Sequence, residues 1–80
     1  MTVEELQPGI VLDWQSTRFP DSHSRWIVLE ELEHDPRKNE KRARLYCIYS
    51  SRPKVGEINN EVTYTFTNST IRNFTVNSQV

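Results

Sequence analysis

The chain holds a single cysteine, Cys47, in 80 residues. An internal disulfide is excluded, and so is a metal site built on several thiolates. Such cysteine usage reads as a reducing, intracellular setting. Glycine is scarce as well: Gly9 and Gly56 are the only two, too few for a loop that cradles phosphates. No apolar run approaches the ~20 residues that a membrane-spanning helix needs. The N-terminus lacks the basic, apolar, small-residue progression of a signal peptide. The expected location is therefore cytoplasmic, with no membrane contact. Without secretion, the sequons Asn68-Ser69-Thr70 and Asn73-Phe74-Thr75 read as turn and strand chemistry.

Neither sign of charge dominates. Lys and Arg number 10, Asp and Glu 11, and the net charge is −1. Sequence-independent nucleic-acid binders draw most of their affinity from a basic excess, and this chain has none overall. Binding of that kind needs a local patch.

Two Trp, three Tyr and three Phe are present, enough aromatic area to seed a core and to argue against disorder along the whole chain. The length fits one domain over residues 1–80. A chain this short buries a modest fraction of its surface, and small domains often add stability by association. A monomer and a homodimer both stay open.

The most strand-like stretch is Arg42-Ala43-Arg44-Leu45-Tyr46-Cys47-Ile48-Tyr49. Alternation along a pleated strand sends Ala43, Leu45, Cys47 and Tyr49 one way and Arg42, Arg44, Tyr46 and Ile48 the other. Before it, Thr2 to Gln7 predicts a short turn with Glu4 and Glu5 suited to a helix start. Pro8-Gly9 ends that turn. Ile10 to Trp14 then predicts a first strand with Ile10, Leu12 and Trp14 facing the core. Gln15 to Arg25 reads as a loop that is long for a hairpin. Arg25 to Leu32 reads as a strand with an apolar centre on both faces. Glu33 to Lys41 predicts a turn in which Asn39 tolerates left-handed geometry. Residues 50–60 form a second long connection, rich in Pro, Gly, Ser and Asn. Glu61 to Thr67 alternates cleanly, with Val62, Tyr64 and Phe66 inward. Asn68-Ser69-Thr70 turns the chain into a last strand, Ile71 to Val76, that buries Phe74 together with Ile71 and Val76. Five strands result, and the expected fold is mainly β: a small five-stranded SH3-like barrel or a strongly bent antiparallel sheet.

This layout resembles the SH3-like small barrels, including the KOW-type modules of transcription and translation proteins. The resemblance rests on Leu6-Gln7-Pro8-Gly9-Ile10-Val11-Leu12 leading into the first strand, the Arg25–Leu32 and Arg42–Tyr49 strands, and the late Tyr64-Thr65-Phe66, Ile71 and Phe74. Asn68-Ser69-Thr70 falls where that family often has a one-turn helix. A KOW motif has more glycine than this chain. The Pro8–Leu12 stretch is also similar to that of toxin ribonucleases with an SH3-like barrel, which are longer and carry a catalytic set unmatched here. Short stand-alone barrels of this kind look similar to accessory proteins of phages and other mobile elements.

Enzymatic chemistry finds little support. His23 and His34 are the only two histidines, and both are expected in polar loops. No Ser-His-Asp order or zinc-ligand spacing occurs. His23 with Asp21, or His34 with Asp35, falls short of the three or four converging ligands a metal site needs. Cys47, expected inward, reads as packing and not as a nucleophile. No cofactor, metal or catalytic residue is assigned.

The basic and aromatic strand face is the main functional signal. Arg42, Arg44 and Tyr46 align on it, with Arg37, Lys38 and Lys41 at its entrance and Arg52 and Lys54 beyond its far end. Arginine and tyrosine are common interface anchors, so the expected function is a non-enzymatic module that docks onto another protein, using this strand and the 15–25 and 50–60 loops. The same residues suit nucleic acid, where arginine meets phosphate and tyrosine stacks on a base. A blander account also stands. Glu30, Glu31, Glu33 and Asp35 lie across the turn from these cations, and a hairpin would pair the two sets. The acidic set could mimic phosphates, but mimics carry more negative charge than −1.

Overall fold

Gln7-Pro8-Gly9-Ile10 is the turn that feeds the chain into its sheet. Pro8 pre-sets its own φ, and Gly9 takes φ 93°, which a type II turn requires at that position. The Ile10 N–H donates to the Gln7 carbonyl at 3.2 Å, and the Gly9 N–H donates to the Val28 carbonyl at 2.8 Å. The turn is thus bonded to a strand far along the chain before the first strand begins.

The computed structural model describes residues 1–51 and 60–79. Its strands are β1 (Ile10–Gln15), β2 (His23–Asp35), β3 (Glu40–Ser50), β4 (Glu61–Phe66) and β5 (Phe74–Gln79), with 3-10 turns at Val3–Glu5 and Ile71–Asn73. All five pair antiparallel in one open sheet of order β4-β3-β2-β1-β5. The mainly β expectation holds in its bent-sheet form. No ladder joins β4 to β5 among the described residues. Aromatic packing brings them together instead: Phe66 and Phe74 sit 5.0 Å apart edge to face, and Tyr64 lies 5.6 Å from Phe74. Such pairs add ~0.5–1.5 kcal/mol beyond the area they bury.

The bend has a local cause. The β2–β3 register slips between Arg25 and Trp26, between Val28 and Glu30, and between Glu31 and Glu33. Ile48 is the extra residue on β3, and Leu29 and Leu32 are the extras on β2. Each bulge adds twist and bend, which curls the long hairpin around one face. That face carries Ile10 and Leu12, Val28, Ala43 and Leu45, Phe66 and Phe74, with Trp14, Trp26 and Tyr64 packed at its margin. Val3, Leu6 and Ile71 from the two 3-10 turns complete the core.

Several expectations are corrected. The hairpin turn is shorter than Glu33 to Lys41, because charged residues continue the ladder as far as Asp35 and Glu40. Asn39 does take positive φ, at 55°. Tyr49 does not share a face with Cys47. Cys47 pairs with Trp26 and Tyr49 with Arg25, so the bulge at Ile48 moves Tyr49 to the outer face, where it is 52% exposed. Val76 is not buried, being 45% exposed on an edge strand. The last strand starts at Phe74, because Ile71–Asn73 is a 3-10 turn.

Candidate docking face

The outer face of the sheet is a ladder of cross-strand rows. Nearest the β2–β3 turn, Glu33, Arg42 and Thr65 stand in register. Glu30, Arg44 and Thr63 form the next row. Then come Val11, Ile27, Tyr46 and Glu61, and last Thr75, Asp13, Arg25 and Tyr49.

In the first two rows the charges are matched. Arg42 Nη2 lies 3.6 Å from Glu33 and Arg44 Nη2 3.3 Å from Glu30. Both arginines are about half-exposed, so water screens these pairs and each is worth at most ~1 kcal/mol. Their main effect is to leave the expected basic face nearly neutral.

Lys41 is not on that face. It has the parity of Ala43 and Leu45, and its side chain turns inward to 2% exposure. Its Nζ donates to the Leu6 carbonyl at 3.0 Å and lies 3.5 Å from Glu31. A buried ammonium must be compensated, and these two oxygens do so. Lys41 thereby ties the N-terminal segment to the sheet and leaves the exposed basic set. Arg37 and Lys38 stand exposed at the tip of the β2–β3 turn, where the Arg37 N–H donates to Asp35 Oδ1 at 3.0 Å. Arg52 and Lys54 lie outside the described residues, as does most of the 50–60 connection.

The third row is the apolar part of the face. Val11 is buried yet stands apart from the main core cluster. It is in register with Ile27, which is in register with Tyr46. Tyr46 is 41% exposed, so its ring is offered to solvent over an apolar base.

Beyond this row the face opens into a cleft of about 620 Å³ between the 16–22 loop and the start of β5. Gln15 shapes the loop: its Nε2 donates to the carbonyls of Pro20 at 3.0 Å and Ser22 at 3.2 Å. Ser16 Oγ accepts the N–H groups of Arg18 and Phe19, both at 3.1 Å. Ser51 fastens the loop to the end of β3. Its Oγ donates to the Asp21 carbonyl and accepts the His23 N–H, both at 2.9 Å. The long loop flagged in the sequence is therefore short and held in place.

Asp13 and Arg25 form one wall of the cleft. Arg25 Nε donates to Asp13 Oδ1 at 2.7 Å, and Asn77 Nδ2 donates to Oδ2 at 3.0 Å. The Arg25 hydrogen bond holds the Asp13 carboxyl below the usual range, against a smaller opposing effect of burial. The His23 and Tyr49 rings pack at 5.6 Å with a 33° tilt on another wall. Arg72 closes the cleft from the second 3-10 turn, and it makes no ion pair among the described residues. Sequence patterns miss this grouping, because β5 reaches β1 only through the strand order and Tyr49 arrives through a bulge. The one signal was the polar loop after β1.

Among the described residues no three of His, Cys, Asp and Glu converge as metal ligands, and no described helix is long and apolar enough to cross a membrane. No protein-family model matches the chain, and neither curated proteins nor solved structures include a significant match.

Proposed function

We propose that this chain is an SH3-like module that docks onto another protein, as an accessory or regulatory factor inside the cell, through the outer face of β1, β2 and β3. The strand order with β5 beside β1, and the 3-10 turn just before β5, support the SH3-like reading. The observation that carries the docking reading is the row Val11–Ile27–Tyr46 beside charge-matched rungs. An apolar centre with an exposed tyrosine and a polar, neutralised rim has the anatomy of a protein interface. The pairing of Arg42 and Arg44 with glutamates counts against nucleic acid, since phosphate binding depends on unmatched cations. Exposed Arg37 and Lys38 at the tip of the β2–β3 turn keep nucleic acid as the alternative occupant.

The test is a tagged pull-down from host lysate with and without nuclease, using the wild type and a double variant with Arg44→Glu and Tyr46→Ala. One dominant protein that survives nuclease and is lost with the double variant is the expected result. Recovery of nucleic acid alone, or a partner indifferent to the double variant, would sink the reading. A salt series adds to this: phosphate contacts weaken steeply with rising salt, and an apolar interface does so much less.

A further inference from the structure

The cleft beside the docking face differs from it in one respect. Its charge is not balanced. Asp13 is already matched by Arg25 and Asn77. Arg72 is exposed and makes no ion pair among the described residues. A ligand that enters therefore meets one guanidinium in need of an anion.

We propose that this cleft accepts an acidic side chain carried on an extended peptide segment of the docked protein, with Arg72 as the carboxylate anchor and Tyr49 and His23 as the wall against which the segment lies. This inference rests on the protein-docking reading and assigns it a second contact. Guanidinium and carboxylate match in shape and can bond in pairs. The volume, about 620 Å³, falls within the ~300–1,000 Å³ range of ligand clefts, so it suits a short stretch of chain. Thr75 and Asn73 line the cleft and make no side-chain hydrogen bond to a described residue, which leaves groups free for a peptide backbone. The loop wall is fixed beforehand by Gln15 and Ser51, so little ordering is required on binding.

A phosphate chain fits less well. It would bring repeated negative charge past the Asp13 carboxylate with, among the described residues, a single unmatched cation to receive it. Nucleic-acid binding grows with the number of such cations, and the described lining of the cleft supplies one.

The experiment is an NMR titration of the full chain with four probes: a nine-residue peptide pool with Glu fixed at its centre, a matching pool with Lys fixed, octathymidylate, and inorganic phosphate. The Glu pool should shift the amides of His23, Tyr49, Arg72 and Thr75. Arg72→Glu should weaken it at least tenfold while amides elsewhere stay in place, and Arg72→Lys should retain part of the affinity. The inference is overturned if the Lys pool binds as well as the Glu pool, or if only octathymidylate or phosphate shifts these amides. It is equally overturned if no probe shifts them. Failure here is separable from failure of the docking reading. A pull-down partner lost with Tyr46→Ala but kept with Arg72→Glu would leave docking standing and remove the cleft from it.

Discussion

The two ends of β3 each have basic side chains around them, Lys41 and Arg42 at one and Arg25 and Arg72 at the other, and do opposite things. At the turn end, inward-facing Lys41 stands in register with Phe66, sealed under the N-terminal segment, while Arg42 outside is matched by Glu33. At the other end, a bulge carries Tyr49 to the outer face opposite Arg25, and an open cleft holds Arg72, which is unmatched among the described residues. At one end the strand's own cations are buried or matched, and the other end is open in packing and charge. The contrast teaches that a count of basic residues along a strand says little about free charge. Parity, pairing and bulges decide which cations remain available.

The largest effect that tests this contrast is on packing. Phe66 is fully buried and touches both Tyr64 and Phe74, so it joins the two edge strands. Phe66→Ala is expected to cost ~3–5 kcal/mol, a large share of the ~5–15 kcal/mol available to a small domain. Tyr49→Ala, at the open end, is expected to stay within ~0.5 kcal/mol, as exposed positions do. Urea unfolding measures both. Comparable losses for the two variants would mean that the cleft end is as much a part of the core as the closed end.

Much of the closed end is legible in the sequence. Ile10, Leu12, Leu45, Phe66 and Phe74 fall on the inner side by alternation alone, and Asn39 announces a left-handed turn residue. The hairpin length is harder to read, because Glu30–Arg44 and Glu33–Arg42 rungs extend strands past the apolar run that marks them. Lys41 is misplaced by chemistry: a lysine looks exposed until its parity with Ala43 and Leu45 is taken seriously. At the open end the signal fails for a geometric reason. A single inserted residue, Ile48, reverses every orientation that follows it, and nothing local marks where it will occur. Arg72, with Asn73 and Thr75 next to it, is far in sequence from the cleft residues on β1, β2 and β3, and only the pairing of β5 with β1 brings it there.

Neighbouring residues allow a sharper test of the closed end. Lys41→Met removes the donor to the buried Leu6 carbonyl, and leaving that group unpaired is expected to cost ~1–3 kcal/mol. Glu31 retains partial contact with water, so its loss of a partner adds little. Arg42→Met, one residue on, breaks only an exposed pair and is expected to cost at most ~1 kcal/mol. The same unfolding measurement decides between them. If Arg42→Met costs as much as Lys41→Met, the division of β3 into inner and outer cations does not describe its energetics. Hydrogen exchange gives a second readout: Lys41→Met should loosen the N-terminal segment that Leu6 anchors, and Arg42→Met should leave it protected.

The smallest expected effect concerns the wall of the cleft and depends on pH. Arg25 holds the Asp13 carboxyl below its usual value in the folded chain, whereas the unfolded value stays near ~3.9. Folding therefore favours the ionised form. The stability this contributes is complete above the unfolded value and is lost as pH falls through the lower, folded one. Because Asp13 is more than a third exposed, solvent screens the pair and the contribution is small. Asp13→Asn is expected to be slightly less stable than wild type at pH 7, and the gap should close as the pH drops below about 4. Paired urea curves at neutral and acid pH make that comparison. A gap that persists in acid would show that Asp13 acts through hydrogen bonds an asparagine cannot copy, and not through its charge.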